Sequence, residues 1–205
     1  MPDILVTDEP RVDVIIAAYY EDLQALSELA LSGKISQRIY QRRVLSLAQA
    51  TNRAAFLLAG GDEANPQAAS WLRQQYQIAA GSARKLAADL FDGRYSVIRD
   101  AAGVVRQTAE AGAEALAGRL TLWTFAVGQA AHRGVLYQPP WLPDITGTWH
   151  VGDTEHCSTC LGQDGQSRTR LEWLSLAAQG IEPQGRGLEC GGWKCQCKIV
   201  WEKGQ

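Results

Sequence analysis

Residues 137–150 read YQPPWLPDITGTWH, and the grammar of the chain changes across them. Pro139, Pro140 and Pro143 lack backbone donors and clash with a preceding helical turn, so no helix continues through this stretch. Upstream, apolar residues recur at steps of three and four, and there is no cysteine. Downstream lie all five cysteines and five of the seven tryptophans: Trp141, Trp149, Trp173, Trp193 and Trp201. The division this predicts is an α-helical domain over 1–136 and a small Cys/Trp-rich metal-binding module over 137–205. A segment of roughly 70 residues has a marginal core and calls for a staple.

Working back from the prolines, four helices are expected. The first opens at Asp8-Glu9-Pro10, presents Val12, Ile15 or Ile16, Tyr19, Leu23, Leu26 and Ala30, and closes at Ser32-Gly33. The second starts near Ser36, carries Tyr40, Val44, Leu47, Thr51, Ala54 and Leu58, and stops at Gly60-Gly61. Asn65-Pro66 opens the third, with Leu72, Tyr76, Ala79, Ala83, Leu86 and Leu90, and FDGRYS breaks it. The fourth is expected from about Ser96 to Arg133, with Ile98, Ala102, Val105, Ala109, Ala113, Leu116, Leu120, Trp123, Val127 and Ala130 on one face. At 1.5 Å per residue it would be roughly 55 Å long, with Gly112 and Gly118 as points where it bends. His132, at its end, reads as a solvated or dipole-facing residue and not as a ligand. The fold class is mainly α: an extended helical bundle or hairpin array with a small zinc-stapled α+β module at its end. In that module TRLEWLSLAAQG reads as a short helix and CKIVWE as a strand.

Charge narrows the function classes. The chain of 205 residues carries a formal charge of -2, with 14 basic and 14 acidic side chains up to residue 135 and 6 and 8 beyond it. Neither part is a polycation built for nucleic acid. No stretch approaches the roughly 18 apolar residues of a membrane span. The acidic N-terminus lacks the pattern of a signal peptide, so a reducing cytoplasm is expected, where clustered cysteines point to metal before disulfide.

Cys157-x-x-Cys160, followed by Gly162, places two thiolates on one ion. Cys190, Cys195 and Cys197 offer the rest. A tetrahedral Zn²⁺ takes four ligands; Cys190 with Cys195, or Cys195 with Cys197, completes the site, and the spacing fits both. His150 and His156 compete for the same places, and the surplus thiol is a buried small hydrophobe. Asp153 and Glu155 lie next to the pair, but the zinc-deaminase signature, H-E-x-x-H, a nucleophile elbow and a phosphate loop are all missing from the sequence. The metal is therefore read as structural and the chain as no enzyme, with no small-molecule substrate. The alternative is a zinc-stapled nucleic-acid-binding protein using Trp193, Lys194 and Lys198.

The order LTLWTFAVGQAAHRGVLYQ, TWHVGDTEHCSTCLGQDGQ, W-x-x-L and GIEPQGRGLECGGWKCQCKIVW resembles the C-terminal domain of the head morphogenesis (minor capsid) proteins of tailed bacteriophages. Matching elements are Trp149, Glu155-His156-Cys157 to Cys160, Gly180 with Pro183, and Cys195-Gln196-Cys197, over roughly residues 115–201. Many members have a histidine three residues before the closing C-x-C and a basic residue inside it; here Gly192 and Gln196 stand there, and Cys190 is the candidate to replace the histidine. The resemblance implies a virion protein, made in the bacterial host cytoplasm, that acts in head assembly, packaging or ejection beside portal or capsid proteins. Alanine-rich helix faces suit partner helices or self-association; contact with packaged DNA is not indicated by charge.

Overall fold

A computed structural model describes residues 9–96, 98–99, 101–139, 142, 145–152, 156–192 and 196–202, with the side chains of 9, 10 and 98 excepted. Asp8, Pro140, Trp141, Pro143, Asp153, Glu155, Trp193, Lys194 and Cys195, all singled out above, lie outside these residues.

The first three helices fall where their end signals put them: α1 Glu9–Leu31, α2 Gln37–Leu58 and α3 Pro66–Phe91. Gly33, Gly60 and Gly93 end them at positive φ, a conformation glycine adopts without a Cβ penalty. Asn65 caps α3, its Oδ1 accepting the amides of Gln67 (2.9 Å) and Ala68 (3.3 Å). In α1, Tyr19, Leu23, Ser27 and Ala30 are buried, and the Ser27 and Tyr40 hydroxyls share a hydrogen bond of 2.9 Å.

Two expectations fail. The buried face of α2 runs through Tyr40, Val44, Ala48, Asn52 and Ala55 and on to Ala59 just past its end, whereas Ala54 and Leu58 are exposed. The expected stripe took Thr51 where the buried face has Asn52, whose polar side chain occupies a core position. The fourth helix is also shorter: α4 is Ala109–Leu136, about 42 Å at the standard rise. Before it, β1 (Ile98–Arg99) and β2 (Val105–Gln107) form an antiparallel hairpin with a bulge. Gly103 turns the hairpin at φ 79°, and Gln107 Nε2 ties it to the carbonyls of Arg94 and Ser96 at 2.8 and 2.9 Å. Thr108 then starts the helix, its hydroxyl accepting the Ala111 amide at 3.2 Å, with Glu110 in the first turn. Val105 is exposed, so its helical spacing was coincidental; Leu116, Leu120, Trp123, Val127 and Ala130 are buried as expected. Gly112 permits close approach and not a bend: a Cβ there would meet the Tyr95 carbonyl at 2.3 Å.

Past the prolines, β3 (Thr146–His150), α5 (Ser158–Gln163), β4 (Ser167–Thr169), α6 (Arg170–Ala178) and β5 (Lys198–Glu202) follow. The strands make an antiparallel sheet in the order β4-β3-β5, with Thr146 opposite Thr169 and Glu202, and His150 opposite Lys198. Alternation turns Trp149, Ile199 and Trp201 inward. Gly147 leaves room for this face, because a Cβ there would strike Ile199 at 2.5 Å and the Trp201 ring at 2.7 Å. Trp173 of α6 packs 5.7 Å from Trp149 and donates its indole N–H to the Gly147 carbonyl at 2.8 Å. α6 begins with a complete capping box between Thr169 and Glu172.

The chain divides into two compact units, and the start of α1 goes with the unit that holds the C-terminal residues. One holds Asp13–Ala54 and Ala69–Val127; the other holds Ala55–Ala68 and the chain from Gly128 onward. Within the second, the end of α4 is part of the module's core. Gly134 sits against the Phe56 carbonyl, where a Cβ would come to 2.2 Å. The Gln138 amide donates to the Ala59 carbonyl at 2.9 Å, and Arg170 donates to the Gln138 carbonyl at 2.7 Å. Buried Arg133 donates to buried Glu182, to the Ala177 carbonyl and to the Tyr137 hydroxyl.

His132 is not solvated. It is 8% exposed, stacks on Trp201 at 5.7 Å, and neither ring nitrogen has a partner among the described residues. Burial, reinforced by the neighbouring Arg133 charge, pushes its pKa down to about 3. A folded value below the unfolded one of 6.5 contributes stability that is complete above pH 6.5 and lost as pH falls. Going from pH 7 to pH 5 should therefore cost about 2 kcal/mol through this residue. Urea denaturation at both pH values checks it: His132→Phe should lose less stability on acidification than the parent, and an equal loss would remove His132 as the cause.

Candidate metal centre

Cys157 is the N-cap residue of α5 and Cys160 lies in its first turn, so the helix brings both sulfurs to one side, 3.5 Å apart. The pair is therefore set by a helical turn. Gly162 is an ordinary helical residue with no neighbour within 4 Å of a built Cβ, and the positive φ after the pair falls at Gly165, φ 71°.

Cys190 arrives by a different route. After α6 the chain folds through Gly180–Gly192, a loop packed so closely on itself that a Cβ on Gly185, Gly187 or Gly192 would lie within 2.4 Å of a backbone oxygen. Gly180, Gly191 and Gly192 have positive φ, as does Gln184 at 62°. After β4 and α6 have filled most of the gap from Cys160, this loop returns the chain to α5, where the Glu189 amide meets Thr159. The sulfurs of Cys157, Cys160 and Cys190 all lie within 4.8 Å of one another. Tetrahedral zinc–thiolate bonds of 2.3 Å would set sulfurs about 3.8 Å apart, so small movements bring all three onto one ion.

The electrostatics favour thiolate. Burial raises the Cys157 thiol, but backbone and side-chain hydrogen bonds from Cys160 and Cys190 outweigh it and bring the pKa down to about 7. Cys157, Cys160, Cys190 and Cys197 are thiols and not disulfide sulfurs. Among the described residues this three-cysteine group is the one such donor cluster of histidine, cysteine and carboxylate atoms.

Of the other candidates, Cys195 lies outside the described residues, and Cys197, His156 and His150 are described but are not members of the three-sulfur group. Cys197, just before β5, is 3% exposed, and its sulfur lies 3.8 Å from His156 Nδ1. His156 Nε2 is 2.7 Å from the Gly152 carbonyl, which fixes that nitrogen as the donor. His150 is exposed at the end of β3.

Sequence reasoning missed Glu189. Its carboxylate accepts the Ser158 amide at 3.1 Å and the Ser158 hydroxyl at 2.5 Å, and its own amide donates to Thr159 Oγ1 at 3.4 Å. The Ser158 side-chain and backbone hydrogen bonds hold the Glu189 carboxyl below its usual value. The signal was Cys157 at a helix N-cap, which has no side-chain cap of its own and so asks for an outside acceptor.

No helix among the described residues is long and apolar enough to cross a membrane. No protein-family model, no curated protein and no solved structure matches this chain.

Proposed function

We propose that the chain is a structural head protein of a tailed bacteriophage, a minor capsid component that works beside portal or capsid proteins, with its C-terminal module stapled by Zn²⁺. The observation that carries the metal reading is the convergence of Cys157, Cys160 and Cys190 within 4.8 Å from segments thirty residues apart. Zinc fits an all-sulfur donor set better than magnesium or calcium, which take oxygen ligands. The ion would hold α5 and the Gly180–Gly192 loop together, in a module whose own core includes the buried Trp149, Trp173 and Trp201. The assembly reading is supported by the residue order over roughly 115–201 and by the absence of a catalytic motif in the sequence. Its location in this proposal is the virion head.

Co-expression with the portal and major capsid proteins of the same virus, followed by gradient sedimentation, tests the assembly role. The chain should co-migrate with head particles or portal rings. If it stays at the top of the gradient and instead binds DNA with a steep inverse dependence on salt, the head-protein reading gives way to a nucleic-acid-binding one.

A further inference from the structure

We propose that Cys190 is the third sulfur ligand of the metal, that Cys197 is not a ligand, and that Glu189 is the positioning residue that holds Cys190 in place. The inference rests on the metal reading above and decides what the sequence left open. Three observations carry it, none of them dependent on the resemblance.

The first is the cluster itself: Cys190 belongs to it and the described Cys197 does not. The second is that the Cys197 sulfur has a separate neighbour. His156 gives its Nε2–H to the Gly152 carbonyl at 2.7 Å, so Nδ1 presents a lone pair, and the Cys197 thiol donates to it at 3.8 Å. The same corner is tightly closed: a Cβ on Gly152 would meet Gln196 Cβ at 2.7 Å and its carbonyl at 2.9 Å. The Cys197 thiol is thus buried, and its contact with His156 lies outside the three-sulfur group.

The third is the clamp at residue 189. Three hydrogen bonds join Glu189 to Ser158 and Thr159, the two residues between Cys157 and Cys160. Each residue of the clamp is adjacent to a sulfur donor. The carboxylate also supplies the N-terminal acceptor that Cys157 cannot, so one side chain orders the helical turn of the first two ligands and fixes the backbone of the third. Outer residues of this kind orient metal ligands, and their loss typically costs roughly 10–100-fold in metal affinity.

The test is NMR of the full-length chain loaded with NMR-active cadmium, which reads ligands through scalar couplings from the metal to cysteine β-protons and to histidine ring protons. The β-protons of Cys157, Cys160 and Cys190 should couple to cadmium, and those of Cys197 and the ring protons of His156 should not. Coupling to Cys197, or a silent Cys190 with coupling to Cys197 or His156 in its place, overturns the assignment and leaves the metal site standing. A chain that binds no cadmium at all takes down the metal reading and this inference together. For the clamp, Glu189→Ala should weaken metal binding at least tenfold in chelator competition and broaden the Cys190 couplings while those of Cys157 and Cys160 persist. Glu189→Gln, which keeps an acceptor for Ser158, should restore most of the affinity. Unchanged affinity and unchanged Cys190 couplings in Glu189→Ala would refute the positioning role.

Discussion

Chelating the proposed zinc from the protein should unfold the C-terminal module while most of the helical circular dichroism survives. The expected effect is the largest in the molecule. A structural zinc site contributes on the order of 10 kcal/mol to a small domain, more than such a domain's whole stability. The sheet is three short strands, and its core rests on Trp149, Trp173 and Trp201, each at most 6% exposed. Without the proposed ion α5 should part from the Gly180–Gly192 loop, and tryptophan emission should move to the red as these rings meet water. Cys157→Ser combined with Cys160→Ser should reproduce the change without chelator. The helices α1 and α3 carry their own caps and buried faces and owe nothing to the cysteines. Emission and circular dichroism that are indifferent to metal would show the cysteines to be ordinary packing residues.

The second large effect is expected at the buried ion pair of Arg133 and Glu182. Both residues are at most 6% exposed, and Arg133 also donates to the Ala177 carbonyl and the Tyr137 hydroxyl. Arg133→Met leaves the Glu182 carboxylate buried without its charge partner and should cost about 3–5 kcal/mol at neutral pH. Arg133→Met with Glu182→Leu should recover most of that loss, because an apolar pair of similar volume removes both desolvation penalties. Burial already raises the Glu182 pKa, and the Arg133 charge only partly offsets this. Without Arg133 the carboxyl rises further, so the single variant should lose less stability at acid pH, where protonation neutralises the buried charge. A double-mutant cycle in urea at two pH values measures all of this. Equal losses in the single and double variants would mean that Arg133 acts through packing and not through its charge.

Which parts of this molecule could be read in advance follows from the range of the forces involved. Helices α1 to α3 were legible because their end signals are local: Asn65-Pro66 and the glycines at 33, 60 and 93 act within a turn or two. The phase of α2 beyond Leu47 was not, because a buried asparagine breaks the apolar stripe by which phase is judged. The hairpin before α4 was hidden by helical spacing in residues 98–109, although Thr108 with Glu110 already marked a helix start. Strands of three to five residues, such as β3 and β4, are defined by their partners and leave little trace of their own.

The site divides in the same way. The Cys157–Cys160 pair is a local helical turn, and its spacing was enough to pick it out. Cys190 depends on a loop whose tight backbone contacts are spread over Gly180–Gly192, so spacing alone could not rank it against Cys197. Arg133 stands three residues after Ala130 on the stripe of α4, a signal that the sequence reading passed over by taking it only as the helix end. Its partner lies 49 residues away and only the fold supplies it.

Elemental analysis of the purified full-length chain, prepared without chelator, tests the central claim most directly. The account predicts one tightly held zinc per chain, retained through gel filtration and lost in the Cys157→Ser, Cys160→Ser double variant. A folded chain with a native tryptophan spectrum and no stoichiometric metal would contradict it.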